Sequence, residues 1–195
     1  MASTNTDSSF QLARLWWLVL LRAVVSAGFA VGFSLVLVGA YHSPGRLAGA
    51  AMLAGGLLEI VMAFRLRREA YRALLGFSAL VGIGAGGGLL AIAPMPLALL
   101  MTVVGLWMAA YGFVALWLVL SMDGQSEDRW ISVAAALVGV GVGVFVMVGP
   151  HGSERLFAAI VVGYTLASAA LSALAAFHVR KNPERWAITP ISEQL

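Results

Sequence analysis

Six long apolar runs, separated by short polar breaks, constrain this chain more than anything else in it. They cover about 15–39, 47–64, 73–93, 97–120, 130–149 and 156–177. Each is about 18 to 25 residues long, and roughly 20 apolar residues carry a helix across the hydrocarbon core of a bilayer. Backbone in lipid must satisfy its own hydrogen bonds, which leaves only helices and closed barrels. Barrel strands would alternate apolar and polar residues, and these runs do not. The expected fold is therefore all-α: a polytopic membrane protein with six transmembrane helices arranged as three tandem helical-hairpin repeats. Composition agrees, with 61% hydrophobic and 11% charged residues, against about 25% charged in soluble domains.

The organisation follows from the same runs. Residues 1–13 form a polar leader, 14–180 the six-helix membrane domain and 181–195 a polar tail, with both ends expected to be mobile. A cleaved signal peptide is not expected, because the first run is longer than the apolar core such a peptide carries. The 195 residues include no cysteine, which removes disulfides, thiolate metal sites and cysteine nucleophiles.

The net charge of +3 is organised by side rather than clustered into a nucleic-acid footprint, and no nucleic-acid partner is expected. Arg14, Arg65, Arg67, Arg68, Arg72, Arg129, Arg180, Lys181 and Arg185 flank the runs on one side. Arg46 and Arg155 flank them on the other. Short loops of polytopic proteins keep their Lys and Arg in the cytoplasm, so both termini are expected there. Trp16, Trp17, Tyr71, Trp117 and Trp130 fall near the same boundary, as an aromatic belt does.

The odd-numbered runs carry Gly28-x-x-x-Gly32, Gly82-x-x-x-Gly86 and Gly139-x-x-x-Gly143, each followed by an outer turn marked by Pro44, Pro94 or Pro150. Small residues four apart let membrane helices approach closely. The glycines are expected to pack helices within the bundle, with a homo-oligomer or membrane-protein seam as the alternative. The run Gly82–Gly88 is not a phosphate loop: it lies in a spanning helix and no Lys-Ser/Thr follows it.

Arg22 and Glu59 are the only charged residues well inside the runs. Arg22 lies eight residues past Arg14, ~12 Å of helix rise, and Glu59 six residues before Arg65, ~9 Å. On antiparallel neighbours they share a depth. An isolated charge at mid-span costs about 2.5 to 3.5 kcal/mol on insertion scales, so an intramembrane ion pair is expected, with Gly55 leaving room at the seam. Its role is a clip that fixes hairpin register or a charged wall of a polar path, the remaining alternative being that Arg22 snorkels to the inner headgroups. Thr165, Ser168 and Ser172 form a polar stripe on the last helix, and Trp107 and Tyr111 an i, i+4 pair on the fourth. Both read first as interhelical packing contacts and second as a solute-facing surface. His42 and His151 sit in outer turns, as solvated loop residues or as groups that charge when external pH falls. These residues assemble no catalytic triad, metal motif or redox motif; catalytic, metal and cofactor sites are all expected to be absent.

GLLEIVMAFRLRRE (Gly56–Glu69), followed by GFSALVGIGAGGGLLAIAP (Gly76–Pro94), resembles the repeat of the HdeD-like acid-resistance membrane proteins. WWLVLLRAVVSAGFAVG (Trp16–Gly32) is similar to that family's first helix, Arg22 included. The second and third repeats lack counterparts of Arg22 and Glu59. The resemblance implies a six-helix protein of the bacterial inner membrane associated with acid or envelope stress, and no catalytic residues. On this basis the expected function is a non-enzymatic integral membrane protein with the lipid bilayer as its main partner. The alternative is a small transporter or channel in which Arg22 and Glu59 line a polar path.

Overall fold

The computed structural model describes residues 16–65, 69–92, 94–120, 129–149 and 153–181, with the side chains of 69–71, 118, 129–132, 178 and 179 left undescribed. Among these residues the chain forms six helices and no strand. They are α1 (Trp16–Leu37), α2 (Pro44–Arg65), α3 (Glu69–Ile92), α4 (Leu97–Leu120), α5 (Arg129–Val148) and α6 (Glu154–Lys181). Five are long and apolar enough to cross a membrane, and α5 contributes a shorter apolar stretch, Val133–Val148. The chain is thus an all-helical polytopic protein built for a bilayer.

Local chemistry sets the helix ends. α1 stops where Gly39 takes φ +74°. There the Gly39 N–H donates to Val36 O (3.1 Å) and the Ala40 N–H to Leu35 O (2.8 Å), the paired bonds of a Schellman cap. α2 begins at Pro44, three residues before the apolar run. Proline's fixed φ suits the first helical position, and the Ser43 carbonyl accepts from Arg46 N at 3.1 Å. Ser153 opens α6 by accepting from Leu156 N at 3.4 Å, with Glu154 in the positive first turn. The hydroxyls of Ser34 and Thr102 donate to carbonyls four residues back, at 2.8 and 2.9 Å, so neither is orphaned in a span.

The helices close into a ring in which α1 lies beside α6. These two run antiparallel: Arg180 stacks on the Trp16 ring at one end, and Phe157 meets Phe33 near the other. The closest pairs are α2 with α3, α4 with α5, and α6 with α1. Looser contacts join α1 to α2, α3 to α4 and α5 to α6. The tight seams therefore fall between the sequence hairpins rather than within them.

Glycine explains two of these seams. A methyl added at Gly86 would lie 2.7 Å from Gly49 O, and one at Gly56 would lie 2.8 Å from Ala79 O. On the other seam, a methyl at Gly105 would lie 2.6 Å from Gly143 O, and one at Gly112 would lie 2.6 Å from Val140 N. Backbones are in contact there, which any side chain would prevent. This matters because lipid tails are as apolar as leucine and supply no hydrophobic drive between helices. Dispersion across close-fitting faces has to hold them. The α1–α6 seam uses the buried alanines Ala23, Ala30, Ala158, Ala169 and Ala176 instead. Outward faces stay apolar: Phe64 is 77% exposed and Val38 76%, which suits acyl chains rather than water.

The expected packing glycines divide accordingly. Gly82, Gly86, Gly139 and Gly143 are buried at the tight seams. Gly32 admits Leu47 of α2, whose methyl would lie 3.3 Å from an added Cβ. Gly28 departs from the expectation, being exposed with nothing near it. α1 is turned so that Ala23, Ala30 and Phe33 face inward, which carries Gly28 to the outside.

Candidate functional site

Arg22, Glu59 and several other polar residues of the spans converge on a cavity of about 80 Å³ between α1, α2, α4 and α6. Along α2 its wall runs from Met62 to Ala48, ~21 Å of helix rise, so the space is long and narrow. Arg22 and Glu59 both open on it. Each stands six residues from the helix end on the side of the termini, ~9 Å deep.

The two charges share the cavity but form no direct salt bridge with each other. The Arg22 guanidinium lies over the Tyr111 ring, 4.3 Å from its centroid. A desolvated cation over an aromatic face gains about 2 kcal/mol. Arg22 has no hydrogen-bond partner among the described residues, although its planar fork carries five N–H donors. Glu59 is 5% exposed and stands beside the buried Ser78 hydroxyl of α3. The electrostatic attraction between Arg22 and Glu59 acts across the cavity, and Tyr164 of α6 adds its phenol near the same guanidinium. The expected ion pair is thus a pair of facing charges with space between them. Arg22 on the ring of α4 leaves its fork uncommitted, which a contact pair would not.

Small residues make the site possible. A Cβ at Gly55 would lie 3.5 Å from Trp107 Cζ2, and one at Gly82 would lie 3.4 Å from Trp107 Nε1. The indole therefore occupies the place that larger side chains would fill. Its Nε1 is buried and has no hydrogen-bond partner among the described residues, and its ring lies 6.2 Å from that of Tyr111, tilted by 39°. Gly139 does for Tyr164 what Gly82 does for Trp107, placing the phenol oxygen 3.4 Å from where a Cβ would stand.

The stripe on α6 is divided. Thr165 and Ser168 line the cavity, whereas Ser172 is half-buried away from it. The Thr165 hydroxyl donates back to Val161 O at 2.7 Å, so it offers the cavity its lone pairs. His42 is exposed in the α1–α2 turn, far along the chain from the cavity. His151 lies outside the described residues.

The cavity is asymmetric. Away from the termini it is stopped by the edge-on pair Phe33–Phe157, centroids 6.2 Å apart and planes at 80°. Met101, Val104, Met108 and Val146 are packed around that pair. Polar groups occupy the half toward the termini and an apolar plug the other half. Tyr164 and Ser26 are polar wall residues not legible as such in the sequence. Their one signal is a hydroxyl in an apolar run, which intrahelical bonding explains equally well.

No protein family, no curated protein and no solved structure matches the chain.

Proposed function

We propose that the protein is a non-enzymatic multi-pass membrane protein that takes a small polar solute, or protons, into a chamber within the bundle, as a small transporter does. The observation that carries this reading is Arg22 facing Glu59 across a cavity that neither fills. Charges inside a membrane span are costly and normally mark a substrate, ion or proton site. A purely structural clip would close the gap between them. The apolar plug at Phe33 and Phe157 makes this a one-sided chamber; the excess of Lys and Arg beside the termini supports a polar half turned toward the cytoplasm, and the HdeD-like resemblance supports a bacterial inner membrane.

A role in acid or envelope stress is supported by the HdeD-like resemblance, which is best in the first hairpin. That hairpin supplies both Arg22 and Glu59, so the two readings share their residues. The test is flux in proteoliposomes loaded with a pH-sensitive dye. Protein-dependent acidification that is lost in Glu59→Gln is the expected result. Vesicles as tight as protein-free ones, with every small solute offered, would overturn the transport reading.

A further inference from the structure

We infer that the chamber is a binding site for a small planar carboxylate of formate or acetate size, held by the Arg22 guanidinium. This rests on the reading of the cavity as a solute chamber and names the class of solute.

Size comes first. An apolar cavity of about 150 Å³ accommodates benzene, with six heavy atoms. A cavity of about 80 Å³ thus suits a species of roughly three or four heavy atoms.

Chemistry narrows the class. Arg22 presents an uncommitted fork, its Cζ lying over the Tyr111 ring 4.3 Å from the centroid. A guanidinium fork without hydrogen-bond partners matches a carboxylate bidentately. Trp107 Nε1 adds, on the same wall, a buried donor without a partner among the described residues. The apolar side chains of Phe29, Met52 and Met108 complete the lining and suit a hydrogen or methyl opposite the carboxylate. Longer chains exceed the volume of about 80 Å³.

Glu59 sets the condition for occupancy. The groups facing it are Arg22 of α1, Ser78 of α3 and, through Arg22, Tyr111 of α4 and Tyr164 of α6. One cation cannot neutralise two carboxylates, so a bound anion competes with a charged Glu59 for Arg22. A proton on the Glu59 carboxyl removes the competition. The carboxylate and one proton then enter together, leaving the chamber's net charge unchanged.

Calorimetric titration of the detergent-solubilised full chain with formate, acetate and butyrate, at about pH 7.5 and about pH 5.5, tests this. Saturable binding of formate and acetate is expected, tighter at the lower pH, with butyrate at least tenfold weaker. Arg22→Lys keeps the charge without the fork and should weaken binding at least tenfold. Glu59→Gln should bind formate more tightly at the higher pH and lose most of the pH dependence, a gain that a folding defect would not produce. The inference is overturned by absence of saturable binding in the parent chain, by unchanged affinity in Arg22→Lys, or by weaker binding in Glu59→Gln. Proton flux in vesicles that ignores formate would also overturn it while leaving the transport reading intact. Formate binding without any flux would do the reverse.

Discussion

Arg22 and Glu59 behave differently when left alone, because a carboxyl can take up a proton and a guanidinium cannot readily lose one. Glu59→Leu should therefore destabilise the protein more than Arg22→Leu. The Leu/Leu double variant should recover part of the loss, since replacing both members of a buried pair is generally milder than removing one. The charges face each other across a cavity rather than touching, so the coupling between the two substitutions should be modest, about 1 kcal/mol. Thermal melting in detergent of the two singles and the double measures it. Strictly additive losses would show that the attraction across the cavity contributes nothing to stability. The Tyr111 ring carries a second share of the arginine's stabilisation. Tyr111→Phe should melt close to the parent, whereas Tyr111→Leu should lose about 1–2 kcal/mol, and equal losses would dismiss the stacking contact.

At the scale of helices, the repeat is best seen by comparing the two glycine-rich pairs. Gly105, Met108 and Gly112 of α4 stand 56 residues after Gly49, Met52 and Gly56 of α2. Ala136, Gly139 and Gly143 of α5 stand 57 residues after Ala79, Gly82 and Gly86 of α3. Each unit is a pair of antiparallel helices meeting backbone to backbone, and α6 with α1 forms the third pair with alanines in place of glycines. Gly49 and Gly56, like Gly105 and Gly112, are seven residues apart, two turns along one face. That spacing was readable, but it competes with many chance glycine pairs in a chain with 22 glycines. Gly105→Ala and Gly143→Ala should each cost about 1–3 kcal/mol, the usual penalty for overpacking. Gly28→Ala should be neutral or stabilising by up to about 1 kcal/mol, because it meets open space and alanine favours the helix. A thermal-melting series that ranks Gly28→Ala with the seam substitutions would remove glycine contact as the basis of the pairing.

For the whole molecule, two asymmetries run along the bundle axis. Nine of the twelve Lys and Arg residues flank the side that carries the termini, and the same side holds the polar half of the chamber. A phosphatase reporter active only outside the cell, fused after Leu195, should give no signal. Strong activity would invert the topology and turn the chamber to the exterior. The second asymmetry is the plug. Phe33→Ala combined with Phe157→Ala removes the edge-on ring pair that stops the chamber, so vesicles carrying this variant should leak protons faster than those carrying the parent chain. The pH-dye assay reads this directly, and a tight double variant would place the barrier elsewhere. Three close pairs joined by looser contacts give the bundle seams at which such a barrier can move.

The sequence by itself determined the helices, their approximate ends and their membrane setting. These depend on local properties: the length of the apolar runs and the short polar breaks between them. It also singled out Arg22, Glu59, Trp107, Tyr111, Thr165 and Ser168, because a polar or charged group in an apolar run is conspicuous wherever it points. Only the tertiary structure decided which way each helix turns and which neighbour it grips. It placed Gly28 outside, set the tight seams between the hairpins, and left a gap between the two charges that α4 and α6 complete. The physical reason is that a helix apolar on every side has no hydrophobic face to announce its orientation. In lipid, orientation is decided by shape and by the few polar groups that need company, and those are properties of the assembled bundle.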